Sequence, residues 1–200
     1  VQTASEAVRK NGKHLQLAIC YSVTEEGRLG GPIYSLDYYV DKAVRFQDMG
    51  ADSICIKDMA GLMAPYDAHQ LVIALKRALR VPLQLHTHYT SGMGSMTALK
   101  AVEAGLDILD TCLAPLGLRT AQPAIEPLAV ALKDSDRDPG LDLDRLLDLG
   151  DQLEAVLPAY RAQMESPRAA VIDARVLSHQ IPGGMASNLV SQLREVDAIN

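Results

Sequence analysis

Four short apolar runs recur along the chain, and their spacing limits the fold more than any other feature. They are Leu15 to Tyr21 (LQLAICY), Asp52 to Lys57 (DSICIK), Val81 to His88 (VPLQLHTH) and Asp107 to Leu113 (DILDTCL). Their starts, near residues 15, 52, 82 and 107, lie 37, 30 and 25 residues apart, each the length of one strand–helix unit. The runs are rich in Ile and Leu without clean polar alternation, which suits strands covered on both faces. Between them the apolar period changes to that of a helix. Ser35 can cap a helix carrying Tyr38, Tyr39, Ala43, Val44 and Phe46 as far as Gly50. Tyr66-Asp67 opens a second with Leu71, Val72, Leu75 and Leu79, and a third runs from about Ser95 to Ala104 with Ala98, Leu99 and Val102. Two junctions are near copies: Met49-Gly50-Ala51-Asp52 and Ala104-Gly105-Leu106-Asp107 each place a Gly after a helix and an Asp at the head of a strand.

Alternating strands and helices imply a parallel sheet, either doubly wound or closed as a (β/α)8 barrel. No Gly-x-Gly-x-x-Gly follows a strand, so the dinucleotide-binding version of the open sheet lacks its fingerprint. A full barrel needs roughly 250 residues. Four clear strands, with a possible short one near Arg119 to Gln122, amount to half of one. The expected fold is α/β: the C-terminal half of a TIM barrel over residues 1–138, then the start of a mainly helical, funnel-like region over residues 139–200. Within the latter, residues 141–165 read as a Leu-rich helix or helix pair interrupted near Pro158. From Ala169 a strand–helix stretch follows, with Pro182-Gly183-Gly184 as a turn and a helix from Ser187 to Val196. Residues 1–10 read as the tail of a helix with Ala4, Ala7 and Val8 on one face, closed by Asn11-Gly12 and lacking a start signal. A piece of a longer protein is expected.

Composition narrows the functional classes. The net charge of −6 disfavours a nucleic-acid or anionic-membrane surface, and no stretch approaches 18 uncharged apolar residues, so no membrane span is expected. With no Trp and one Phe, the core must be built from Leu, Val, Ile, Ala and Met. Cys20, Cys55 and Cys112 are odd in number, widely spaced and set in apolar runs; they read as buried reduced thiols of a cytoplasmic protein.

Chemistry concentrates at strand ends. His86-Thr87-His88 closes the third run, and alternation puts both imidazoles on one face, about 7 Å apart along the chain. That end of a parallel strand is where such sheets place their sites, and two imidazoles on one face are a common pair of metal ligands; a hydrogen-bonded histidine pair is the plainer reading. Lys57 closes the second run, where an ammonium is costly to bury. It either reaches solvent, pairs with Asp58, or serves at the site as a base or a CO2-carboxylated oxygen ligand. Arg119-Thr120-Ala121-Gln122-Pro123 forms a polar loop before a helix containing Glu126. His14, His69 and Asp107 make weaker candidates: two surface positions and a strand-start cap.

Taken together, SICIKDMAG (Ser53–Gly61), LHTHYTSGM (Leu85–Met93), EAGLDILDT (Glu103–Thr111), RTAQPA (Arg119–Ala124) and HQIPGGMASNL (His179–Leu189) stand in the order found in biotin-dependent carboxyltransferases. The chain resembles that family over essentially its whole length. Its members include the oxaloacetate decarboxylase α subunit and the carboxyltransferase subunit or domain of pyruvate carboxylase. The resemblance implies a TIM barrel holding Zn2+, Mn2+ or Co2+ on an Asp, a carboxylated Lys and two His. Here these are Lys57, His86 and His88, while the Asp ligand has no counterpart in this sequence. It further implies that Thr120 moves a proton between pyruvate and biotin and that Met59 lines the pocket. Arg119 stands, with Leu118, where relatives carry two small residues, and is a candidate for selecting the keto acid. The implied activity moves CO2 between carboxybiotin and pyruvate or oxaloacetate. Biotin would ride on a separate domain or subunit, with other carboxylase subunits and further copies of the chain as partners. Two readings compete: a metal-dependent lyase of the hydroxymethylglutaryl-CoA lyase type, which would lack Lys57 and the Thr120 loop, and a non-catalytic barrel scaffold, which would not need Lys57, His86 and His88.

Overall fold

The computed structural model describes residues 1–23, 29–160 and 172–196. A first helix, α1 (Gln2–Lys10), leads to three strand–helix units: β1 (Gln16–Cys20) with α2 (Leu36–Asp48), β2 (Ser53–Asp58) with α3 (Pro65–Ala78), and β3 (Leu83–Thr87) with α4 (Gly94–Glu103). Then come the short β4 (Ile108–Leu109), α5 (Ile125–Leu132), α6 (Leu143–Val156), α7 (Val176–His179) and α8 (Gly183–Glu195). The four strands form one parallel sheet in the order β1-β2-β3-β4.

That order decides between the two parallel architectures. Neighbouring parallel strands joined by right-handed crossovers put every helix on the same side. One face is therefore covered and the other becomes the inside of a barrel. The covered face carries Ile19, Ile54, Ile56, Leu83 and Leu85, packed with Tyr39 and Ala43 of α2 and Leu71, Val72 and Leu75 of α3 into one core. Fully burying each of these larger apolar side chains contributes about 1.5–3 kcal/mol. The opposite face is unlike a core layer: Gln16 and Ser53 stand at its lower end, Ala18, Cys55 and Gln84 form the next row, and Cys20, Lys57 and His86 the row above it, across β1, β2 and β3.

Helix starts follow the expected chemistry. Ser35 caps α2, its hydroxyl accepting the Tyr38 N–H, and Pro65 occupies the first turn of α3. The repeated Gly–x–Asp junctions are clamps between units. Asp52, heading β2, accepts the Leu15 N–H just before β1 at 2.7 Å, and Asp107, before β4, accepts the Leu83 N–H of β3 at 2.8 Å.

Six expectations need correction. β4 pairs over two residues only, and Arg119 to Gln122 is no strand, because Leu118 and Arg119 have left-handed backbones that a pleated strand does not admit. A single parallel bridge between Cys112 and Ala124 replaces it. Helix α8 begins at Gly183 rather than Ser187, so the two glycines form its first turn behind Pro182. The strand expected from Ala169 falls partly outside the described residues, and residues 172–175 are not a strand. In α1, Ala4 and Ala7 are exposed and Val8 is half-buried; the helix instead buries Ser5 and reaches the Met49 carbonyl through Arg9. Of the cysteines, all free, Cys55 is buried and its thiol is pushed up to about 11 by desolvation, whereas Cys112 is half-buried and Cys20 exposed. Cys20 points to the barrel-side face, which the helices leave open.

Candidate metal centre

The C-terminal ends of β2 and β3 bring three of the expected residues together. Lys57 stands opposite His86 in the strand register, and the period of two puts His88 on the same face. His86 Nε2 and His88 Nε2 face each other at 3.2 Å. Their protonation follows from what their other ring nitrogens touch. His86 Nδ1 lies 2.7 Å from Asp110 Oδ2, and His88 Nδ1 donates to the Thr120 carbonyl. A carboxylate and a carbonyl only accept, so both Nδ1 atoms carry a proton and both rings turn Nε2 into the gap. Burial, reinforced by the neighbouring His86, holds His88 below the usual imidazole range and keeps it neutral, against the pull of the Thr120 carbonyl.

Two lone pairs at that distance call for one cation between them, a proton or a metal. Small divalent ions bind imidazole at about 2.0–2.1 Å, so the gap fits two ligands of one such ion. Gln122 closes the side of the pair. Its Oε1 accepts the Cys112 thiol at 3.0 Å, which turns its Nε2 to within 3.4 Å of His86 Nε2. Among the described residues no group of three His, Cys, Asp or Glu side chains is placed to hold a metal, so the pair needs a third donor of another kind. Lys57 is the neighbour available, and among the described residues no acidic side chain pairs with it.

In particular, Lys57 does not pair with Asp58. That carboxylate lies on the helix side, fully buried, and accepts the N–H groups of Leu62 and Met63 at 2.8 and 3.0 Å and the Thr87 hydroxyl at 2.8 Å. Burial raises its pKa although all three donors oppose the shift. Asp58 thus pins the loop after β2 to β3 between the two histidines. Met59 is half-buried and lines a cavity of about 280 Å3 shared with Tyr21 and the Gln180 to Met185 segment. Arg119 sits at a left-handed turn position, φ 51°, and Thr120 meets the site through its carbonyl, its methyl packing toward Gly183. His14 lies near the far end of the sheet, 2.8 Å from the Ser53 hydroxyl, and Asp107 is engaged by Lys76 and the Leu83 N–H.

Read from sequence, Asp110 and Gln84 had no role at the site, Gln122 was only part of a polar loop, and Asp58 was only a possible partner of Lys57. For Asp110 a signal was present, since Asp107-Ile108-Leu109-Asp110 ends a strand on a second acid.

A family model described as HMGL-like matches residues 3–153. The chain belongs to the HMGL-like family. Within it, the chain is 44% identical over 200 residues to a pyruvate carboxylase subunit of Methanocaldococcus jannaschii, covering all of this chain and 34% of that relative. It is 37% identical over 193 residues to the methylmalonyl-CoA carboxyltransferase 5S subunit of Propionibacterium freudenreichii, covering 96% of this chain and 36% of that relative. The fold superposes with TM-score 0.90 at 36% identity on the carboxyl transferase domain of Rhizobium etli pyruvate carboxylase, solved with pyruvate and biocytin, covering 98% of this chain and 32% of that one. The chain therefore spans about a third of the curated relatives it matches. The four-stranded sheet is part of a TIM barrel of this HMGL-like, carboxyltransferase type. No helix among the described residues is long and apolar enough to cross a membrane.

Proposed function

We propose that the protein carrying this chain is a biotin-dependent carboxyltransferase acting on pyruvate or oxaloacetate, with His86, His88 and a carboxylated Lys57 as metal ligands. One observation carries the reading: two Nε2 lone pairs converge at 3.2 Å in the row that contains Lys57, in a chain whose relatives are named carboxylases and carboxyltransferases. A divalent ion (Zn2+, Mn2+ or Co2+) would polarise a keto oxygen and stabilise the developing enolate charge. Biotin, on a separate domain or subunit, would carry the carboxyl group in and out. The chain's own contribution is preorganisation. Asp110 and the Thr120 carbonyl hold a proton on each Nδ1 and turn both Nε2 atoms inward, and Gln122 flanks them. Lys57, once carboxylated, presents anionic oxygen beside His86.

Thr120 enters in two ways that one variant separates. The resemblance gives its hydroxyl a proton-relay role, while the geometry gives its carbonyl a hold on His88. Thr120→Ala removes only the hydroxyl and methyl. If the relay operates, metal stays and carboxyl transfer fails; normal turnover removes the hydroxyl from the mechanism. Met59 and Arg119 remain pocket residues in this reading, which places the protein in the cytoplasm, in an oligomer with biotin-carrier and other carboxylase subunits.

The test is metal content and oxaloacetate decarboxylation of the whole protein after Lys57→Ala and after His86→Ala. Both quantities should collapse in each variant. Variants that both keep their metal and full turnover would overturn the assignment of the site to Lys57 and His86.

A further inference from the structure

The layers inside a parallel barrel are ordinarily filled with branched apolar side chains. Below the histidines this chain breaks that rule with Gln16, Ser53 and Gln84 on three adjacent strands. Polar groups are retained at such positions only when each one is satisfied. Here they form a directional series. Asp110 can only accept: Oδ2 takes His86 Nδ1, and Oδ1 takes Gln84 Nε2 at 2.8 Å. Gln84 must therefore turn its Oε1 to Gln16, which donates Nε2 at 2.8 Å. The other Gln16 N–H reaches the Ser53 hydroxyl at 3.1 Å, leaving that oxygen 2.8 Å from His14 Nε2. Each polarity dictates the next, from His14 at the far end of the sheet up to His86.

We propose that Asp110, oriented by Gln84 and Gln16, is a positioning residue for the metal centre: it fixes the tautomer and ring direction that leave His86 Nε2 able to bind. This rests on the metal reading above. An outer partner of this kind commonly changes metal affinity by about 10–100-fold. The series also predicts a change of sign. In Asp110→Asn, position 110 has one accepting oxygen and two claimants, the Gln84 amide and His86 Nδ1–H. When Gln84 wins, His86 shifts its proton to Nε2 and loses the lone pair. Gln84→Leu alone removes an orienting contact and should weaken binding a few-fold. Added to Asp110→Asn it removes the competing claimant and should strengthen binding, because the Asn oxygen is then free for His86.

The experiment measures Co2+ affinity of the whole protein by chelator competition, with the Co2+ absorption spectrum and the metal-free melting temperature alongside. Expected are a loss of at least tenfold for Asp110→Asn with little change in melting temperature, and partial recovery in the double variant with Gln84→Leu. Wild-type affinity in Asp110→Asn, or a double variant no better than Asp110→Asn, overturns the inference. Wild-type protein that binds no Co2+ overturns instead the metal reading beneath it, and the inference with it.

Discussion

Gly61 offers a measurement of how tightly the loop after β2 is built against the metal pair. Its φ is +66°, and a Cβ added there would stand 2.6 Å from the His88 carbonyl oxygen and 3.2 Å from the His88 carbonyl carbon. Reaching even a 3.0 Å contact needs a shift of about 0.4 Å. The loop has little freedom to retreat, since Asp58 holds Leu62 and Met63 and the Ser91 hydroxyl holds the Gly61 carbonyl. Gly61→Ala therefore adds a backbone cost of about 1–2 kcal/mol to an overpacking cost of about 1–3 kcal/mol. Gly12→Ala is the control: its φ is +61°, but nothing lies within 4 Å of the new Cβ, so only the backbone cost applies. In thermal melts of the whole protein the barrel transition should fall by about 5–15 °C for Gly61→Ala and about 2–5 °C for Gly12→Ala. The displaced atom belongs to His88, so Gly61→Ala should also weaken Co2+ binding while Gly12→Ala leaves it alone. Equal melting temperatures and equal affinities in the two variants would refute the close packing of loop and ligand.

Three further outcomes follow from the same contacts. Asp58→Ala strands three buried donors and should cost about 3–5 kcal/mol, whereas Asp58→Asn keeps one accepting oxygen and should cost less; equal losses in urea unfolding would mean the carboxylate does not hold the loop. Gly183→Ala drives a Cβ into the Thr120 methyl, so it should lower the melting temperature, and Thr120→Ser, which deletes that methyl, should restore it; no recovery in the pair would deny the contact. His88 has a folded pKa below the ordinary imidazole value of 6.5, so the unfolded chain takes up the proton first on acidification. Its contribution is thus complete above about pH 6.5 and lost as the pH falls toward the lowered folded value. Metal-free protein should therefore lose stability as the pH falls below about 6.5, less steeply in His88→Gln; identical slopes would remove His88 as a cause.

The parallel architecture was legible because it depends on periodicity alone. Runs of Ile and Leu at βα spacing specify buried parallel strands whatever the loops do, and Gly50-Ala51-Asp52 recurring as Gly105-Leu106-Asp107 marked where units join. Loop conformation was not legible. Nothing in Leu118-Arg119 announces two consecutive left-handed residues, since neither side chain favours them. The strand expected there gave way to a tight turn that delivers the Thr120 carbonyl to His88 and Gln122 to His86. The polar layer below the site was missed for another reason: glutamine inside a short apolar run reads as tolerated polarity until three strands are set side by side.

Lys57-Asp58 shows how much a local rule decides once the strand is accepted. Neighbouring residues in a strand point to opposite faces, so an ion pair between them was never compatible with the strand reading. The same alternation assigns their work. Lys57 faces the barrel side beside His86, and Asp58 faces the helices, where it accepts from Thr87, the residue between the two histidines. Thr87 faces away from His86 and His88 by that same alternation, so its hydroxyl tethers the His-x-His segment from behind while both imidazoles project on the other side. A strand-end Lys-Asp opposite a strand-end His-Thr-His is thus one arrangement: an inner pair of faces that presents donors, and an outer pair that locks their backbones in register.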